Sequence, residues 1–168
     1  MGYLMQLTFK LKHYFFNAFR ELFVHHHGSL EFRAKLYALL LATYTTVEDE
    51  YYDIVKNIGI KIYANDEDRA KLLVLSTKEL VNKIQNNELS IDQLITSIQK
   101  ELKIVPRYAK KMDIESLAQL VGLSHDNDTT AYQKSIIEFL AKTREEILHE
   151  KEEQIAKDEE KIYSKYKN

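Results

Sequence analysis

The acidic run Asp126-Asn127-Asp128 places carboxylates at alternate positions, the spacing with which a loop begins to wrap a hard cation such as calcium. Such a loop also needs a glycine at its centre and a bidentate glutamate at its twelfth position, where this chain has Ile137, so a turn is expected instead. Glu146 and His149 have the i, i+3 spacing of di-iron bundles, but that chemistry requires a second such pair and two more glutamates on facing helices, and the sequence has no second Glu-x-x-His. His149-Glu150 is followed at 153 by Glu153 and not by the second histidine of a zinc-protease helix. Adjacent His25, His26 and His27 point in different directions, so a closed metal site there would need outside ligands. With no cysteine, no glycine-rich phosphate loop and no Gly-x-Ser-x-Gly elbow, the chain has no thiolate, disulfide or familiar nucleophile. No catalytic residue and no cofactor are expected.

Two surfaces stand out more than any reactive group. Five of the seven phenylalanines, Phe9, Phe15, Phe16, Phe19 and Phe23, fall within the first 24 residues, around a polar line that runs Gln6, His13, Arg20. Leaving them all in water would forgo on the order of 10 kcal/mol, so this segment needs a cover: the rest of the chain, a protein, or a membrane interface with Lys10, Lys12 and Arg20 toward headgroups. Lys100, Lys103, Arg107, Lys110 and Lys111 concentrate positive charge around Pro106, with Tyr108 able to stack on a base or sit at a headgroup. A solvated face is the plain expectation for this cluster. An acidic protein, an anionic membrane or the chain's own acidic tail would suit it better than nucleic acid.

The elements that position these groups read as helices. The first is predicted from about Tyr3 to Val24, closed by Gly28 in the left-handed conformation, with Ser29 capping the next. Phe32, Leu36, Leu39, Leu40 and Thr43 give the second an inward face. Thr45-Thr46-Val47-Glu48-Asp49 predicts a capping box for the third, whose stripe is Tyr51, Val55, Ile58 and Ile62. Asn65 is predicted to cap a fourth that carries Leu73, Leu80 and Ile84 and breaks at Asn86-Asn87. Ser90-Ile91-Asp92-Gln93 is a second capping box, followed by Ile91, Leu94, Ile95, Ile98 and Leu102. Pro106 suits the first turn of a helix lined by Met112, Leu117, Leu120 and Val121. After the loop at 122–128, Thr129 or Thr130 is predicted to cap a very long last helix with Ile136, Ile137, Phe139 and Leu140 inward. From Arg144 only Leu148, Ile155 and Ile162 repeat, every seven residues, in a background of Glu and Lys: either a solvated helix or a coiled-coil or partner-docking seam.

One proline and four glycines in 168 residues leave few turn residues for a sheet, so the fold class is all-α. Hydrophobic residues at 45% and charged ones at 30% suit a folded chain. A net charge of −2 argues against a general nucleic-acid binder. No stretch reaches the roughly 18 apolar residues of a spanning helix, and the absence of cysteine fits a cytoplasmic setting.

Two stretches echo one another, 36–50 (LYALLLATYTTVEDE) and 117–132 (LAQLVGLSHDNDTTAY): each is an apolar helix, a polar turn and the start of another helix. Over about residues 29–148 this resembles the TerB-like (tellurite-resistance B) helical family, also found in the N-terminal region of membrane-anchored DnaJ-like co-chaperones. In that family an Ala-Asp-Gly turn leads into an acidic helix start. Asp126 and Asn127 fall at the Asp-Gly positions of the second repeat, with Asp128 adjacent and Gln133 near the expected acid. In the first repeat Tyr44 and Thr45 stand there, while Glu48, Asp49 and Glu50 keep the acidic start. The resemblance implies metal binding through such acids, with Asp126, Asp128, Glu48 and Asp49 as candidates, but the missing first aspartate argues against carrying the site over. A J domain would need a His-Pro-Asp loop, and Pro106 follows Val105.

The expected organisation is a docking or membrane-interface helix at 1–28, a TerB-like domain at 29–148 and a charged helical extension at 149–168. The expected function is a non-enzymatic interaction or stress-response module that binds a protein partner, with peripheral contact at the inner membrane surface, no nucleic acid, and homo-oligomerisation through the terminal helices. The alternative is a metal-binding sensor or metal-dependent enzyme built on the acidic helix starts.

Overall fold

A computed structural model describes residues 28–166, and the first predicted helix, with its five phenylalanines and Lys10, Lys12 and Arg20, lies outside them. Six α-helices and one 3-10 helix follow in order, with no strand among the described residues: α1 Gly28–Leu41, α2 Asp49–Ile62, α3 Glu67–Gln85, α4 Ile91–Ile104, the 3-10 helix Pro106–Lys111, α5 Ile114–Ala118 and α6 Asn127–Tyr166. The chain is all-α, as its scarcity of turn residues implies.

Helix α1 is the axle. The expected inward face is only part of it, because Leu30, Phe32, Ala34 and every residue from Leu36 to Leu41 are buried. Six consecutive buried residues cover every side of a helix, so its second half must be surrounded; here α3, α4, the 3-10 helix and α5 pack on α1. Gly28, expected in the left-handed conformation, is instead helical. It is the first described residue of α1, where an added Cβ would lie 2.5 Å from the Tyr108 hydroxyl, and Ser29 falls inside the helix instead of capping it.

Helices α2 and α3 form an antiparallel pair. They lie close together at Gly59, where a Cβ would meet the Ala70 Cα at 3.1 Å and the Leu73 Cδ2 at 3.3 Å. Ala64 and Asn65 turn the chain at positive φ, 51° and 68°. The expected Asn65 cap is therefore corrected to Asp66, whose side chain accepts from the Arg69 amide at 3.1 Å. The capping box expected before α2 does not form, since the N-cap is Glu48 and it makes no side-chain cap bond. The Ser90–Gln93 box does form, with bonds of 3.1 and 2.9 Å in the two directions.

The single helix expected after Pro106 is two elements. Pro106 starts a 3-10 turn, as its missing amide favours. Asp113 then caps the short α5 through the Ser116 amide at 3.2 Å. Met112, between them, is buried.

A Gly59→Val substitution should lower unfolding free energy by about 2 kcal/mol or more in urea titration. The added branches meet backbone, which cannot yield as a flexible side chain can, and overpacking of this kind costs roughly 1–3 kcal/mol.

Candidate functional site

The two echoed stretches meet at a buried polar junction. Where α1 ends, Thr43 N bonds Leu40 O at 3.2 Å and Tyr44 N bonds Leu41 O at 3.1 Å, which aims both side chains toward the turn after α5. The Tyr44 hydroxyl donates to Leu120 O at 2.6 Å and accepts from Leu123 N at 3.0 Å. Gln133, fully buried on α6, accepts from Gly122 N at 2.8 Å through Oε1 and donates from Nε2 to the Thr43 hydroxyl at 2.9 Å. Gly122 lies between these clamps with φ +72°, a left-handed conformation that glycine adopts without a Cβ penalty. Donors and acceptors are matched in this network, so its chemistry is to fix the 120–123 turn against α1 and α6. Gln133, at the position near which the resemblance expects an acid, thus holds backbone.

Asp126 is engaged in the same way. Its carboxylate accepts from the amides of Asp128 at 3.3 Å and Thr129 at 3.2 Å and from the Thr129 hydroxyl. Asp126 therefore caps α6, which corrects the expectation of Thr129 or Thr130; the Thr130 amide bonds instead to the Asp126 carbonyl at 3.1 Å. The hydrogen bonds from Thr129 hold this carboxyl below the usual aspartate range. Asp128 is exposed in the first turn of α6, where it complements the helix dipole.

Of the other acidic candidates, Glu48 is an exposed N-cap and Asp49 lies 3.6 Å from Lys78. The Lys78 ammonium also sits 4.7 Å from the Tyr52 ring centroid. Burial, aided by the Asp49 charge, pushes the Tyr52 phenol up to about 12, so it stays protonated at neutral pH. Among the described residues no three His, Asp or Glu side chains are grouped so as to hold a metal ion. Glu146 faces Lys142 at 3.9 Å and His149 faces Glu153 at 3.6 Å, both along α6.

The predicted seam divides. Leu148 packs at the edge of the core, whereas Ile155 and Ile162 are 50% and 56% exposed. The basic cluster of Lys100, Lys103, Arg107, Lys110 and Lys111 is exposed as a group. Tyr108, however, packs on Phe32 with ring centroids 5.1 Å apart, so it is not presented to a base or a headgroup.

Sequence reasoning missed two features. The Lys35 ammonium, between α1 and α4, is held by the Glu101 carboxylate and by the Ser97 hydroxyl at 2.9 Å, beside a cleft of about 380 Å³ that Leu80, Leu89 and Leu94 also line. Residues more than 60 apart leave no local pattern for such a contact. Ile104 was also missed; it is 68% exposed in the middle of the basic cluster. Its departure from the Ile91, Leu94, Ile98, Leu102 stripe was the available signal.

No protein-family model, curated protein or solved structure matches this chain.

Tyr44→Phe should cost about 1–3 kcal/mol in urea denaturation, because it leaves the Leu120 carbonyl and Leu123 amide without their partner. Gln133→Leu should cost a similar amount, and the double variant should lose less than the sum, since both clamps hold one turn. For Asp126 the folded value is depressed, so its contribution is complete above the unfolded aspartate value and is lost as pH falls through the folded one. The Tm advantage of the parent over Asp126→Asn should therefore be present at neutral pH and vanish on acidification.

Proposed function

We propose that this chain is a non-enzymatic helical interaction module, TerB-like by resemblance, which binds a protein partner through the free end of α6. One observation carries the reading. α6 is 40 residues long, yet its buried residues are Gln133, Ile136 and Leu140, and every position from 152 to 166 is exposed. At 1.5 Å per residue that free arm is roughly 22 Å long. It displays Ile155 and Ile162 one heptad apart, with Tyr163 and Tyr166 at 76% and 88% exposure.

An isolated helix of this length is marginal in water. Covering the seam would supply the apolar burial that the arm lacks alone. The polar groups around the 120–126 turn support the same reading, because buried Tyr44 and Gln133 and exposed Asp126 all hold backbone groups. No described helix is long and apolar enough to cross a membrane. The sequence feature that favours contact with the inner membrane surface is the segment at 1–28, with its phenylalanines and its Lys10, Lys12 and Arg20.

Co-purification from native extract tests the arm. Ile155→Glu/Ile162→Glu should leave Tm unchanged, because both sites are exposed, and should lower partner recovery at least tenfold relative to the parent chain. Equal recovery by both chains overturns the docking role. Flotation with anionic vesicles tests the other surface: Phe16→Asp/Phe19→Asp should abolish it, and a parent chain that stays in the soluble fraction removes the membrane contact.

A further inference from the structure

We propose that the acidic arm of α6 docks on the basic, Ile104-centred surface of a second copy of this chain. The inference rests on the arm being a docking element, and it names the partner.

The two surfaces are complementary in both charge and apolar content. Between Glu145 and Glu160 the chain carries eight carboxylates (Glu145, Glu146, Glu150, Glu152, Glu153, Asp158, Glu159, Glu160) against two lysines (Lys151, Lys157). Around Ile155, the positions three and four residues away on the helix are Glu152, Asp158 and Glu159, with Lys151 the one cation. An exposed isoleucine is thus ringed mainly by acids. The opposite arrangement stands at the end of α4, where Ile104 is flanked by Lys100, Lys103 and Arg107. Glu101, the acid within that stretch, is turned inward onto Lys35.

These charges are not neutralised where they stand. Among the described residues, Lys100, Lys103, Arg107, Lys110 and Lys111 make no ion pair, and neither do Glu150, Glu152, Glu159 and Glu160. An apolar anchor inside a rim of one charge, facing an anchor inside a rim of the other, is the composition of a protein interface: the anchors supply burial and the rims supply rate and register.

The occupant must be another molecule. The 3-10 helix packs against α6, and α6 then runs on as one uninterrupted helix to Tyr166 without a proline. Every residue of the arm from 152 to 166 is exposed and no ion pair joins it to Lys100, Lys103, Arg107, Lys110 or Lys111, so the arm does not cover its own basic surface. Two copies that exchange arms satisfy two arms and two basic surfaces at once and close as a pair.

Sedimentation velocity on the purified full chain tests this. A dimer is expected at about 0.05 M salt and a monomer at about 0.5 M, where the Debye length falls to a few ångströms. An arm variant, Glu152→Lys/Asp158→Lys/Glu159→Lys, and a surface variant, Lys100→Glu/Lys103→Glu/Arg107→Glu, should each weaken self-association at least tenfold. Mixing the two should restore a heterodimer, because each basic element then meets an acidic one. That rescue also establishes that both variants are folded. A parent chain that is monomeric at low salt, a dimer indifferent to either variant, or a mixture that stays monomeric overturns the proposal. So does a monomer that instead floats with phosphatidylserine vesicles through Lys103 and Arg107. A monomeric parent chain whose arm still selects a different protein would sink this assignment and leave the arm's docking role intact.

Discussion

The second half of helix α1, Leu36 to Leu41, has no hydrophilic side, and much of the architecture follows from the need to surround it. Nine of its residues are buried, among them the unbroken run Leu36–Leu41. A single neighbouring helix covers one stripe, so a rod of this kind requires neighbours all round. Helices α3, α4 and α5 and the 3-10 helix are the layers that supply them, and α2 packs on α3. Small residues set the distances at two joints: Gly28 leaves room for the Tyr108 hydroxyl, and Gly59 lets α2 lie close against Ala70 of α3.

Surrounding an apolar rod leaves its end to be dealt with, because the turn after it must enter the interior without stranding backbone polar groups. Tyr44 and Gln133 meet that need. They reach from opposite ends of the sequence to hold the amides of Leu123 and Gly122 and the carbonyl of Leu120. An unpartnered buried amide costs more than a formed hydrogen bond gains, so these two side chains act as fasteners. Asp126 extends the same logic to the open amides at the start of α6. The polar chemistry at the centre of the molecule is therefore committed to the fold, and the groups left over lie on the surface.

That surface is segregated. Formal charges nearly cancel over the chain, yet acids gather on the α6 arm and bases on the end of α4 and the 3-10 helix. Each region also exposes an isoleucine that the core does not use, Ile155 on one and Ile104 on the other. Scattered exposed apolar residues are ordinary. Two of them, each set within charge of opposite sign, give an otherwise nearly neutral protein directional surfaces.

Composition and local pattern determined the helical class, the Ser90–Gln93 box, the Asn86-Asn87 break and the long last helix, because each depends on residues within a few positions of one another. Helix starts were less legible. Threonine, asparagine and aspartate all suit a cap, and which one takes it is set by where the chain arrives: Asp66 displaced Asn65, and Asp126 displaced Thr129 and Thr130. Only the tertiary structure could decide that the second half of α1 is enclosed on all sides, that Tyr44 and Gln133 share a turn although 89 residues separate them, and that Lys35 is held by Glu101. Those outcomes depend on which helices lie side by side, a property of packing in three dimensions that no periodicity along the chain records.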